Sequence, residues 1–151
     1  MDDKLINGDL LSILLVEDNP ADVRLTMEAL KTSRIRNNID VVNDGEEAMA
    51  YLKKEGKYKD VSTPDLILLD LNLPRKDGRE VLKEVKEDDN LKRIPVVVLT
   101  TSRAEEDIIK AYEYQANSYI AKPVDFKNFL KIVHSIENFW FNFVKLPKKE
   151  Q

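Results

Sequence analysis

Residues 13–20 read Ile13-Leu14-Leu15-Val16-Glu17-Asp18-Asn19-Pro20: four branched aliphatics that run directly into two carboxylates and then into Asn-Pro. So short an apolar run, without alternation, is how a strand buried on both faces of a parallel sheet reads. Asn19-Pro20 supplies a cap followed by proline at the first helical position, which predicts a helix from Pro20 to about Lys31.

The same alternation continues along the chain. Short apolar runs recur at Ile39 to Val42, Leu66 to Leu69, Val96 to Leu99 and Tyr119 to Ala121. Between them lie segments with helical spacing. Asp44 to Glu55 and Asp77 to Asp88 each begin near an aspartate and a glycine. Ala104 to Tyr114 carries Ile108, Ile109 and Tyr112, and Phe126 to about Val144 repeats apolar residues through Phe129, Val133, Ile136, Trp140 and Phe143. Five strands alternating with five helices predict an α/β fold built on a doubly wound five-stranded parallel sheet.

The chain has 151 residues, the size of one domain, and about 68–70% of its unfolded surface is expected to be buried on folding. Its 24 basic and 28 acidic residues leave a net charge of −4, which argues against a nucleic-acid or anionic-membrane binder. The absence of cysteine excludes disulfides, thiolate zinc sites and cysteine nucleophiles. His134 is the only histidine, so neither a multi-histidine metal site nor a conventional Ser-His-Asp triad is expected. With four glycines, neither GxGxxG nor GxxxxGK[ST] can be written. The N-terminus lacks a long apolar run, so no leader or membrane span is expected and the cytoplasm is the expected compartment.

Chemistry collects where the runs end. The first ends in Glu17-Asp18, the third in Asp70, the fourth in Thr100-Thr101 and the fifth in Lys122-Pro123. In open α/β sheets, ligands bind outside the carboxyl ends of the strands. Three carboxylates brought together ionise fully only if a cation sits among them. Mg²⁺, with its preference for oxygen ligands and phosphate, fits that requirement. Lys122 adds a point charge suited to a phosphoryl oxygen, and Thr100 adds a hydroxyl. Such a set is equipped to place a phosphoryl group on an aspartate.

These residues resemble the receiver domains of two-component response regulators. The resemblance rests on Glu17-Asp18, on Asp70-Leu71-Asn72-Leu73-Pro74 leading to Asp77-Gly78, on Thr100 and on Lys122-Pro123, and it covers roughly residues 11–135. It implies a flavodoxin-like strand order, 2-1-3-4-5. It also implies Asp70 as phosphoacceptor, Glu17 and Asp18 as the acidic pair around Mg²⁺, and the Asn72 backbone carbonyl as a further metal ligand. Thr100 would be the switch hydroxyl, Lys122 the phosphoryl-binding lysine, Tyr119 the rotating aromatic, and Thr101 a control on access to the phosphoryl group. The donor would be a histidine on a sensor kinase, and His134 does not match a donor position. Relative to compact receivers, the chain has extra residues around Lys53 to Thr63.

Residues 1–10 are expected to be an N-terminal extension, and residues 136–151 an aromatic extension of the last helix. In the latter, Phe139, Trp140, Phe141 and Phe143 spread around most of a helix, more than one core-facing stripe buries. This ending resembles single-domain regulators of bacterial phytochrome-type histidine kinases. It implies a homodimer through the last two helices and the fifth strand. Two other readings compete. A haloacid-dehalogenase-type phosphatase needs a second aspartate two positions after the first, where this chain has Asn72. A pseudo-receiver would keep the fold without chemistry, and the complete acidic, threonine and lysine set argues against it.

Overall fold

The computed structural model describes residues 11–31, 37–100 and 118–122, together with Lys127 and Lys131. The elements are β1 (Leu11–Val16), α1 (Pro20–Lys31), β2 (Asn37–Val42), α2 (Gly45–Leu52), a 3₁₀ turn (Gly56–Tyr58), β3 (Leu66–Asp70), α3 (Gly78–Glu87), β4 (Val96–Thr100) and β5 (Ser118–Ala121). All five expected strands form, in one parallel sheet ordered β2-β1-β3-β4-β5. The expected helices over Ala104–Tyr114 and Phe126–Val144 lie outside the described residues, apart from two isolated lysines.

The sheet is the core. Ile13, Leu15, Leu66, Leu68, Val97 and Leu99 face one side with Ala29 and Leu30 of α1. Leu14, Val16, Ile67, Leu69, Val96 and Val98 face the other, against Ala48, Met49 and Leu52 of α2 and Val81, Leu82 and Val85 of α3. Each fully buried Leu, Ile or Val contributes roughly 1.5–3 kcal/mol relative to exposure, which is why the two-faced strands read as unbroken apolar runs. One strand departs from that expectation. β2 is the sheet edge, and Asn38 and Asp40 are exposed along it, because an edge strand is covered less completely than a central one.

Helix starts follow the expected capping chemistry. Asn19 Oδ1 accepts from the backbone N–H groups of Ala21 (2.9 Å) and Asp22 (3.1 Å). Asp44 caps α2 through the N–H of Glu47 at 2.8 Å. Asp77 forms a reciprocal capping box with Glu80 at the start of α3. At its other end α2 stops at Leu52 rather than Glu55. Lys54 takes a left-handed conformation (φ 57°), and the N–H groups of Lys54 and Glu55 donate to the carbonyls of Tyr51 and Ala50. That double return closes the helix three residues early.

The extra segment after α2 folds back onto it. Tyr58 stacks obliquely on Tyr51 with ring centroids 5.3 Å apart, and its hydroxyl donates to Glu47. The Tyr51 hydroxyl donates to Asp40 on β2 at 2.5 Å. Two phenols thus tie the inserted turn, α2 and the edge strand together. The β3–α3 loop is held just as closely. A Cβ on Gly78 would lie 2.3 Å from the Asp70 carbonyl oxygen and 2.6 Å from Leu71 Cα. One on Gly45 would lie 2.0 Å from the carbonyl oxygen of Lys76. Arg75, at φ 66°, reaches back to Asp44 (3.6 Å) and Glu46 (4.0 Å).

Two outcomes follow. Gly78→Ala must push the backbone of Asp70 and Leu71, so a loss of about 1–3 kcal/mol or more is expected in urea unfolding. An unchanged midpoint would show that the loop yields freely. Burial, with the Glu47 hydrogen bond and charge behind it, raises Tyr58 to about 12, above its unfolded value near 10. The folded state therefore keeps a proton that the unfolded state loses, and stability falls as pH rises from about 10 to 12. The stability difference between the parent and Tyr58→Phe should shrink across that window; a constant difference would exclude the linkage.

Candidate functional site

Register brings the site together. Val16 lies opposite Leu69, so Glu17 and Asp70 leave the sheet side by side. Asp70 pairs with Leu99, and Thr100 pairs with Ala121, so the ends of β3, β4 and β5 form one rim with Lys122 directly after it. Adjacent strand ends thereby gather residues as remote in the chain as Glu17 and Lys122, 105 positions apart.

Glu17 is wholly buried and Asp70 is 2% exposed, whereas Asp18 is exposed at the mouth. One carboxylate oxygen from each lies within 4.8 Å of the others. Two backbone bonds set the position of Glu17: its N–H donates to the Val42 carbonyl at 3.0 Å, and its own carbonyl accepts from the Asn43 side-chain amide at 3.0 Å. Its Oε2 accepts from the N–H of Asn19 at 3.2 Å. Asp70 Oδ1 accepts from the N–H of Asn72 at 3.4 Å, which ties the acidic strand end to the loop that follows.

Lys122 occupies the middle of this acidic group. Its Nζ lies 3.0 Å from Glu17 Oε1, 3.1 Å from Asp22 Oδ2 and 3.2 Å from Asp70 Oδ1. Burial alone would lower its pKa; Glu17, Asp70 and Asp22 together outweigh burial and hold it above the ordinary lysine value. Glu17 shows the converse. Burial pushes its carboxyl up to about 7, with the neighbouring Asp70 charge adding to the rise and Lys122 opposing it. One ammonium does not fully satisfy two buried carboxylates.

That shortfall tests whether a metal fits. Glu17 Oε1 is buried and, although close to the lysine charge, accepts no hydrogen bond. Beside it stand two further carboxylates, one of them open to solvent as an entry point. A hard divalent cation that takes oxygen donors and keeps several waters suits this set. Glu17, Asp18 and Asp70 would hold it, and Lys122 would remain as the second positive charge.

The structure brings together Glu17, Asp18, Asp70 and Lys122, as the strand-end pattern predicts. The backbone of Thr100 and Tyr119 lies on β4 and β5, while their side chains, and the whole of Thr101, lie outside the described residues. Asn72 is exposed in the loop after Asp70. Asp22 is the addition. It stands in the first turn of α1, and the only sequence signal for it is a carboxylate one helical turn beyond Asp18.

Comparison with known proteins agrees with this geometry. The family model described as the response regulator receiver domain matches residues 13–134. Response regulator Rcp1 of Synechocystis sp. is 54% identical over 135 residues, covering 89% of this chain and 92% of its own. The structure of the Mn²⁺-bound form of Rcp1 superposes with a TM-score of 0.71 at 53% identity, covering 88% and 96% of the two chains. The phosphorylated cyanobacterial phytochrome response regulator RcpA gives 0.73 at 55% identity, with 87% and 94% covered. The bacteriophytochrome response regulator RtBRR gives 0.79 at 45% identity, with 83% and 76% covered. With the family model spanning most of the chain and the acidic site at the strand ends the fold requires, this chain belongs to the response regulator receiver domain family.

Proposed function

We propose that Asp70 accepts a phosphoryl group from a phosphohistidine of a sensor histidine kinase in a Mg²⁺-dependent step, and that the phosphorylated protein signals through protein–protein contacts. The observation that carries this reading is the Lys122 ammonium held 3.2 Å from Asp70 Oδ1, beside the Glu17–Asp18 carboxylates. The Mn²⁺-bound form of Rcp1 and the phosphorylated form of RcpA support it by likeness.

In this step a carboxylate oxygen of Asp70 forms the P–O bond as the donor's P–N bond breaks. The electron pair of that bond returns to the imidazole, which leaves neutral when its other nitrogen carries a proton. Lys122 supplies positive charge at the transferring phosphoryl oxygens, where negative charge must be held. Mg²⁺, when bound, supplies the remaining neutralisation between the carboxylates and the phosphoryl group. Burial of Asp70 at the base of the crevice limits water around the reacting oxygen. The Thr100 hydroxyl is assigned to the phosphoryl oxygens, Asn72 to the metal through its backbone carbonyl, Tyr119 to the conformational switch, and Thr101 to control of access. The same site, admitting water in place of the donor, would assist hydrolysis of its own acyl phosphate.

The kinase partner is assigned to the phytochrome type because RtBRR and RcpA, two of the similar structures, are phytochrome response regulators. The cytoplasm is the assigned compartment; among the described residues no helix is long and apolar enough to cross a membrane. The aromatic run Phe139 to Phe143 supports a homodimer through the last two helices and β5.

Incubation with Mg²⁺ and acetyl phosphate should add one phosphoryl group to the intact mass of the parent. Asp70→Asn should gain none, and Asp18→Asn or chelation of Mg²⁺ should slow the gain at least tenfold. Equal labelling of parent and Asp70→Asn would move the acceptor elsewhere. Sedimentation velocity should find a dimer that Trp140→Glu weakens; a monomer at every concentration would remove the dimer.

A further inference from the structure

We propose that Asp22 is a positioning residue for Lys122, the carboxylate that keeps the ammonium in the crevice once a metal and a phosphoryl group have claimed its other two partners. This rests on the function proposed above and names a residue that function did not require.

The three oxygens around Lys122 Nζ are not equivalent. Glu17 and Asp70 belong to the carboxylate group that converges within 4.8 Å, and Asp22 does not. A cation seated there draws on the charge of Glu17 and Asp70, and phosphorylation consumes one oxygen of Asp70. Asp22 stands outside both events. Its contact with Lys122 is an aligned hydrogen bond at 3.1 Å, joining residues 100 positions apart. The Glu17 contact is a charge pair in which Oε1 accepts no hydrogen bond.

Asp22 is also well fixed. Its own N–H donates to the Asn19 cap at 3.1 Å, which holds its backbone in the first turn of α1. A lysine has a long flexible stem, and its ammonium acts as a point charge wherever that stem lets it rest. An anchor on α1 therefore decides whether Nζ stays over Asp70 when the apo partners are withdrawn. Lys122 itself is 12% exposed along its side chain.

The full chain, saturated with Mg²⁺, provides the test. Asp22→Ala should lower the second-order rate constant for phosphorylation by acetyl phosphate about ten- to a hundredfold, the scale of a misplacement of about 1 Å. Asp22→Asn keeps the acceptor oxygen and should recover most of that loss. In a Lys122→Ala background, Asp22→Ala should have no further effect, because the two act as one unit. Urea unfolding of Asp22→Ala beside Asp22→Asn, which conserves shape, guards against a folding defect in the alanine variant. A second readout needs no phosphoryl transfer: in the Mg²⁺-bound protein, acetylation of Lys122 by an amine-reactive reagent should quicken in Asp22→Ala and stay slow in Asp22→Asn.

Faster or unchanged phosphorylation in Asp22→Ala would overturn the proposal and make Asp22 a competitor or a bystander. Equal loss in the alanine and asparagine variants would replace positioning by bare charge. If the parent gains no phosphoryl group while the acetylation pattern is as expected, the phosphoacceptor reading fails and the anchoring of Lys122 stands. Unaltered acetylation in Asp22→Ala sinks the anchor itself.

Discussion

Like charges confined at the end of a sheet need a counter-charge, and among the described residues Lys122 supplies it. Glu17 and Asp70 are buried together, a placement that in a low-dielectric site is costly unless a cation shares it. The ammonium lies within 3.2 Å of both. Its position depends on β5 lying next to β4, and on Lys122 following β5 directly. The residual deficit, seen in the raised pKa of Glu17, leaves room for a second cation. A deficit of that sign is one that a divalent cation offsets.

Rigidity around Asp70 comes from close backbone packing as well as charge. Gly78 lets α3 begin against the carbonyl of Asp70, and Gly45 lets α2 begin against Lys76 in the same loop. Arg75 holds a left-handed conformation that L-residues adopt at a cost of about 1–2 kcal/mol, and its guanidinium faces Asp44 and Glu46 at the α2 start. The loop carrying Asn72 is thus bounded by two helix N-termini.

Departures from the sequence reading have identifiable causes. The run Ile39 to Val42 is interrupted by Asp40, and it forms the half-exposed strand at the edge where the order 2-1-3-4-5 places it. The early end of α2 depends on Lys54 taking a conformation that glycine usually takes. The inserted segment reads as an excess of residues, and only the fold shows Tyr58 returning to Tyr51 and Glu47.

By itself the sequence determined the alternation of strand and helix, the caps at Asn19, Asp44 and Asp77, and the clustering of Glu17, Asp18, Asp70 and Lys122 at strand ends. Each of these is local: apolar runs, turn chemistry, and the rule that strand ends in a parallel sheet share one rim. Tertiary structure alone decided that Asp22 meets Lys122 across 100 positions, that Asn38 and Asp40 stay exposed along β2, and that burial raises Glu17. Those depend on distances between segments remote in the chain, and charge–charge energy and desolvation are set by such distances rather than by residue order.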